Sequence, residues 1–145
     1  MTTKNSASII DSEFNWPVRI YYEDTDAAGV VYHSNYLKYM ERARTEWLRA
    51  TGFSHEKLRE QEGIIFVVTN MTISFEKPAC IDEQIEVLVR LTKTGGASLQ
   101  FEQIIIDGSE EMICRADVNV ACLDSETMKP KRIPNPIKVK LAHVD

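Results

Sequence analysis

The chain has 145 residues, 43% of them hydrophobic, which suits one ordinary domain with a buried core and is too short for two comfortable ones. A formal net charge of -5 offers no basic face to displace phosphate counterions, which argues against a general nucleic-acid binder. No apolar run approaches the roughly 20 residues that cross a bilayer, and the polar opening Met1-Thr2-Thr3-Lys4-Asn5-Ser6-Ala7-Ser8 lacks the apolar centre of a signal peptide, so the expectation is a cytoplasmic protein without membrane insertion.

Residues 1–15 are polar and rich in Ser and Asn, and read as a flexible segment ahead of a single domain over 16–145. Val18, Ile20 and Tyr22 then alternate with Arg19, Tyr21 and Glu23, the period of a strand with one buried face, which Asp24 to Gly29 ends. From Tyr36 to Ala50 the apolar residues Tyr36, Leu37, Met40, Ala43, Trp47 and Leu48 recur at three- and four-residue spacing. This predicts an amphipathic helix of about four turns, with Ser34 or Asn35 as its cap and Gly52 as its stop. Glu41, Arg42, Arg44 and Glu46 read as a solvated or ion-paired helix face. A shorter helix is predicted over Ser54 to Glu62.

Beyond Gly63 the period becomes two and stays there. Val67, Thr69, Met71, Ile73 and Phe75 alternate with Val68, Asn70, Thr72, Ser74 and Glu76 until Pro78 breaks the ladder. Ile85, Val87, Val89 and Leu91 form the next strand, Gly95-Gly96 a hairpin turn, Leu99 to Ile105 a third, and Asp107-Gly108 a second turn. Met112, Cys114, Ala116, Val118, Val120 and Cys122 make the last strand, and Ile137 to Ala142 a short terminal helix. One strand, a long helix and four hairpin-ordered strands define an α+β domain, an antiparallel sheet packed on one helix. The polar residues on several strands are too few to solvate the sheet's other face, so self-association is expected. Cys80, Cys114 and Cys122 are an odd number without a C-x-x-C pair, which suits a reducing compartment, and the shared parity of Cys114 and Cys122 points to packing.

Chemistry concentrates between Tyr22 and Tyr36, where Asp24 and Asp26 precede a small-residue turn, Tyr32-His33 and the helix start. Taken from the residues alone, both aspartates are turn formers. The stretch begins like a calcium loop, but Ala28 and Asn35 stand where oxygen-rich ligands belong. His33, His55 and His143 have no metal spacing, and neither a G-x-S-x-G elbow nor a phosphate loop is present, so no cofactor and no metal are expected.

The string Val18-Arg19-Ile20-Tyr21-Tyr22-Glu23-Asp24-Thr25-Asp26, followed by Gly29-Val30-Val31-Tyr32-His33, Asn35-Tyr36 and Glu41-Arg42-Ala43-Arg44, resembles the hotdog-fold thioesterases of the 4-hydroxybenzoyl-CoA thioesterase family. The likeness is greatest to its acyl-CoA thioesterase branch associated with the bacterial Tol-Pal system, and it extends through Phe66-Val67-Val68, Met71 and Met128-Lys129-Pro130. It implies a five-stranded antiparallel sheet wrapped around one long central helix, in a homodimer or homotetramer that hydrolyses acyl-CoA. Asp26 matches the family's catalytic carboxylate, and His33 the helix-start residue whose backbone N–H polarises the thioester carbonyl. Gly29, Val30 and Tyr32 of the string are the implied substrate contacts, Glu41 two turns along the helix is placed to assist across a subunit boundary, and Lys93 is a further candidate contact. The roles make physical sense, because unpaired N–H groups and the positive end of a helix dipole would sit where oxyanion charge develops. An ordinary aspartate is a weak base near neutrality, so direct attack and activation of water both stay open.

The chain departs from the family at Thr94-Gly95-Gly96-Ala97-Ser98, a hairpin where some members carry basic residues that meet the CoA phosphates. Lys93, Arg90 or a neighbouring subunit must then supply the charge, and an acyl carrier protein is an equally open thioester donor. Two other readings compete: a hotdog that binds acyl-CoA without cleaving it, and a hotdog dehydratase or hydratase.

Overall fold

The structure, a computed structural model, describes residues 13–142. Strands β1 (Glu13–Arg19), β2 (Ile64–Phe75), β3 (Gln84–Thr94), β4 (Ser98–Ile106) and β5 (Met112–Asp124) form one antiparallel sheet in the order β1-β3-β4-β5-β2. Helix α1 (His33–Ala50) lies against it. Helix α2 (His55–Lys57) runs on into a π turn over Leu58–Glu62, and α3 (Asn135–Leu141) closes the described chain.

Alternation explains which face of the sheet meets the helix. Ile85, Val87 and Val89 of β3, with Leu99, Phe101 and Ile105 of β4, are all buried. They meet the α1 stripe Tyr36, Tyr39, Met40, Ala43, Trp47 and Leu48, whose three- and four-residue spacing keeps it on one side of the helix. Trp47 stands edge-on to Phe101, with ring centroids 5.0 Å apart at 88°, a preferred aromatic geometry. The opposite face of the sheet is partly held by charge: Glu102 accepts hydrogen bonds from Arg90 and Arg115 at 2.5 Å each. Partial burial pushes the Glu102 carboxyl up, but the two guanidiniums win and hold it below its usual range.

Gln103 and Asp107 are buried and each is satisfied, whereas the buried Tyr39 hydroxyl has no hydrogen-bond partner among the described residues. Gln103 donates from Nε2 to the Met40 carbonyl at 2.9 Å and accepts from Arg44 Nη1 at 2.7 Å, tying β4 to the middle of α1. Asp107 accepts from Lys77 Nζ at 2.6 Å and from the Ser109 and Glu111 amides, so Lys77 first and the turn amides second hold its carboxyl below the usual range.

Several boundaries differ from the sequence reading. Strand β1 begins at Glu13 and ends at Arg19, because it pairs with β3 only from Arg90 back to Gln84. Thus residues 13–15 of the expected flexible segment belong to the sheet, while residues 1–12 and His143 lie outside the described residues. Ile20 is buried, but Tyr21 and Tyr22 leave the strand and are 63% and 81% exposed. Helix α1 starts at His33, three residues early, with Tyr32 as its N-cap, so Ser34 and Asn35 sit in the first turn and neither caps it. In β2 a bulge between Val68 and Asn70 breaks the strict parity read from Val67 to Phe75. The stop at Gly52 holds, with φ +99°; Gly63 ends the second helical segment in the same way at φ +67°, and Ser54 Oγ accepts from the Lys57 amide at 3.1 Å.

Candidate active site

The segment between β1 and α1 is a tight hairpin. Thr25 bridges Val31, and Asp26-Ala27-Ala28-Gly29 makes the loop, with the Gly29 amide donating to the Asp26 carbonyl at 3.0 Å and the Asp26 amide to the Val30 carbonyl at 2.9 Å. The Asp26 Oδ1 atom accepts from the Ala28 amide at 2.8 Å, the side-chain turn that makes Asp a favoured loop opener. Gly29 follows at φ +82°, where a side chain would be strained. The chain then docks on the β2–β3 connection: Val30 bridges Cys80, and the Val31 amide donates to the Ala79 carbonyl at 2.8 Å.

Asp24 and Asp26 have different surroundings. Asp24 Oδ2 accepts from the Tyr21 amide at 2.9 Å, Oδ1 accepts from Asn35 Nδ2 at 3.0 Å, and its carbonyl accepts from the Tyr32 amide at 3.1 Å. Both carboxylate oxygens are thereby spent on fixing the entry to α1. Asp26 is exposed and uses one oxygen locally, which leaves Oδ2 open. Asp24 also faces the buried hydroxyl of Tyr39, whose pKa is raised by burial first and by the Asp24 charge second.

Helix α1 begins without a side-chain cap and without an acidic residue in its first turn. Its leading N–H groups and positive dipole end are therefore not neutralised by α1's own residues. The imidazole of His33 is engaged elsewhere, against Tyr32 (centroids 4.5 Å apart) and edge-on to Phe75 (6.3 Å). Tyr36 fixes the same end of the helix, its hydroxyl accepting from the Ala79 amide at 3.0 Å while burial pushes its pKa up.

The hairpin and the helix start thus bring together Asp26, Gly29, Val30, Tyr32 and His33. Glu41 lies about two turns along α1, on the wall of a cleft of about 300 Å³. Its polar wall is Glu41, Arg44, Thr45 and His55, and its apolar wall includes Trp47, Leu48, Phe66, Val68, Leu99 and Phe101. Lys93 is not part of this grouping. It sits at the far end of β3 from Gln84, roughly 30 Å away at the rise of a strand.

Arg44, His55 and Arg132 were not picked out by the sequence reading. Composition places Arg44 on a solvated or ion-paired helix face, yet Met40, Arg44 and Leu48 follow at four-residue spacing along the buried stripe, a signal that could have found it. His55 gives no such signal, because α2 meets α1 only through the tertiary fold; its ring lies 3.4 Å from Thr45 Oγ1. Burial, then Arg49 and Arg44, hold the His55 pKa below its usual value, so the ring is neutral near pH 7. Arg132 comes from the tail to the hairpin that lacks basic residues of its own: a Cβ on Gly96 would lie 3.2 Å from Arg132 Nη1. Cys114 and Cys122 are buried and free, with the Cys114 thiol pushed up to about 12 by burial, while free Cys80 is exposed. No helix among the described residues is long and apolar enough to cross a membrane.

Comparison with known proteins gives a consistent set of likenesses. The profile of the thioesterase-like superfamily matches residues 20–141. The acyl-CoA thioester hydrolase YbgC of Escherichia coli is 45% identical over 124 residues, 86% of this chain and 92% of that one. The acyl-CoA thioesterase YbgC of Haemophilus influenzae is 40% identical over 136 residues, 94% of this chain and 99% of that one. The crystal structure of a probable thioesterase from Bartonella henselae superposes with a TM-score of 0.80 at 41% identity, covering 84% of this chain and 99% of that one.

Proposed function

From the premise that this chain belongs to the thioesterase-like superfamily and has its hotdog fold, we propose that it is an acyl-CoA thioesterase in which Asp26 and the amino end of α1 carry out the hydrolysis. The reading rests on one observation: an exposed carboxylate with a free oxygen lies in a hairpin that closes directly onto an uncapped helix with no acid in its first turn. A thioester carbonyl oxygen bound at the His33 backbone N–H would gain stabilisation as it becomes an oxyanion. Two balanced routes then lead to the products. In one, Asp26 Oδ2 attacks the carbonyl carbon, the C–S bond breaks to release the CoA thiolate, and water cleaves the resulting mixed anhydride. In the other, Asp26 takes a proton from a water that attacks, and the proton ends on the departing sulfur.

Gly29, Val30 and Tyr32 form the wall beside the reacting group in this reading, and Glu41 lies along the acyl path. Lys93 lies at the end of β3 opposite Gln84, which pairs with Arg19 just ahead of the Asp26 hairpin, and in this reading Lys93, with Arg132 at the Gly96 turn, serves the CoA bound to a second copy of the chain. Self-association is further supported by edge strand β2, which leaves Val67, Val68 and Phe75 37%, 40% and 49% exposed. A solution mass of two or four chains is expected, and a monomeric mass at micromolar concentration removes Lys93 from the site. Three free cysteines suit a reducing cytoplasm.

Free-thiol detection on a panel of acyl-CoA chain lengths, with acyl carrier protein thioesters beside them, tests the activity. One thiol released for each thioester consumed is the expected result. Retained binding without thiol release would instead favour a non-catalytic acyl-CoA protein, and a change in enoyl absorbance without thiol a dehydratase.

A further inference from the structure

Arg49, Arg90 and Arg115 each meet a carboxylate, whereas Arg44 is held, among the described residues, by the neutral amide oxygen of Gln103. Gln103 is itself fully buried and fixed through its Nε2 to the Met40 carbonyl, so the guanidinium is aimed by a rigid support. Arg44 is the cation lining a cleft that is otherwise mostly apolar. A guanidinium carries five N–H donors in a fork that matches a carboxylate, and Gln103 takes one of them. Burial opposes the charge on Arg44 and Glu41 favours it, but Glu41 is exposed at the rim and makes no hydrogen bond to it. Thr45 and the neutral ring of His55 complete the polar wall without supplying a negative charge.

We propose that this cleft receives the acyl chain and that Arg44, aimed by Gln103, selects acyl groups whose far end bears a carboxylate. The proposal rests on the thioesterase reading and deepens it by naming a substrate class, the ω-carboxyacyl thioesters. Dimensions agree. Arg44 lies eleven positions on from His33, about 16 Å at the rise of a helix, a span suited to a medium-to-long chain. The cleft of about 300 Å³ holds about ten groups of the size of a water or a methylene.

Trp47 lines the cleft, so its fluorescence offers a measure of occupancy that is independent of turnover. Titration of the full chain with monomethyl dodecanedioate and with methyl dodecanoate, whose ester ends are uncharged like a thioester and which differ by one distal carboxylate, is expected to show the carboxylate-bearing ester binding about tenfold tighter, the scale of one charge-assisted pair. Arg44→Gln should abolish that preference, Arg44→Lys should keep part of it, and Glu41→Gln should strengthen it. Equal affinities of the two esters in the wild-type protein overturn the proposal whatever the variants do, and so does a preference for the distal carboxylate that survives Arg44→Gln. A drop in solution mass in Arg44→Gln, with no preference in the wild type, assigns Arg44 to a carboxylate of a second copy and likewise overturns it. The two readings fail separately: thiol release from unsubstituted acyl-CoA without any preference sinks the cleft assignment alone, and a binding preference without thiol release sinks hydrolysis alone.

Discussion

The Asp26→Asn variant is expected to lose about a hundredfold or more in kcat/KM for acyl-CoA hydrolysis, the scale of a missing base or nucleophile, while keeping its melting temperature and solution mass. Asparagine retains a carbonyl oxygen that can accept from the Ala28 amide as Asp26 Oδ1 does, so the hairpin and the φ +82° turn at Gly29 survive. Only the negative charge and the proton-accepting oxygen are removed. The same change at Asp24 has the opposite character. There both carboxylate oxygens accept, from the Tyr21 amide and from Asn35, and an amide would present a donor to one of these donors. That conflict costs about 1–3 kcal/mol of stability, so Asp24→Asn melts earlier while its folded fraction keeps much of its turnover. Thiol-release kinetics read beside thermal melts distinguish the two, and near wild-type turnover in Asp26→Asn removes Asp26 from the chemistry.

The contrast between the two aspartates also marks how far the sequence could be read. Spacing alone locates the helix, because Tyr36, Met40, Ala43 and Trp47 make one stripe, and the turns, because Gly52, Gly63 and Gly95-Gly96 stand where the chain changes direction. The end of β1 is illegible, since Ile20 and Tyr22 continue the alternation and only the length of β3 decides where pairing stops. The start of α1 is misread for a similar reason. Ser34 and Asn35 are good capping residues, but Asn35 is drawn to Asp24, and the helix begins before either can cap it. For the proposed site, the matched string points to Asp26 and the helix start, because chemistry and turn geometry are both local there. The cleft depends on contacts between α1, α2 and the sheet, and so Gln103, Arg44 and His55 come together only once the chain folds.

A change to the backbone at His33 tests the helix start itself. His33 is the first residue of α1, the position where proline is tolerated because that N–H has no partner within the helix. The preceding Tyr32 already has φ -66° and ψ 135°, the extended conformation that a following proline demands. His33→Pro should therefore fold, with a melting temperature close to that of His33→Ala, since both variants lose the ring contacts to Tyr32 and Phe75. They differ in the amide. His33→Ala keeps the N–H and is expected to retain most thioester hydrolysis. His33→Pro lacks it and should fall by about a hundredfold to a thousandfold in kcat, the cost of one oxyanion donor. The loss should appear in kcat more than in KM, because the donor acts on charge that develops only in the transition state. Activity retained at near wild-type level in both variants assigns the oxyanion to another donor, the Ser34 amide being the next along the helix. Loss in His33→Ala equal to that in His33→Pro gives the part to the imidazole instead.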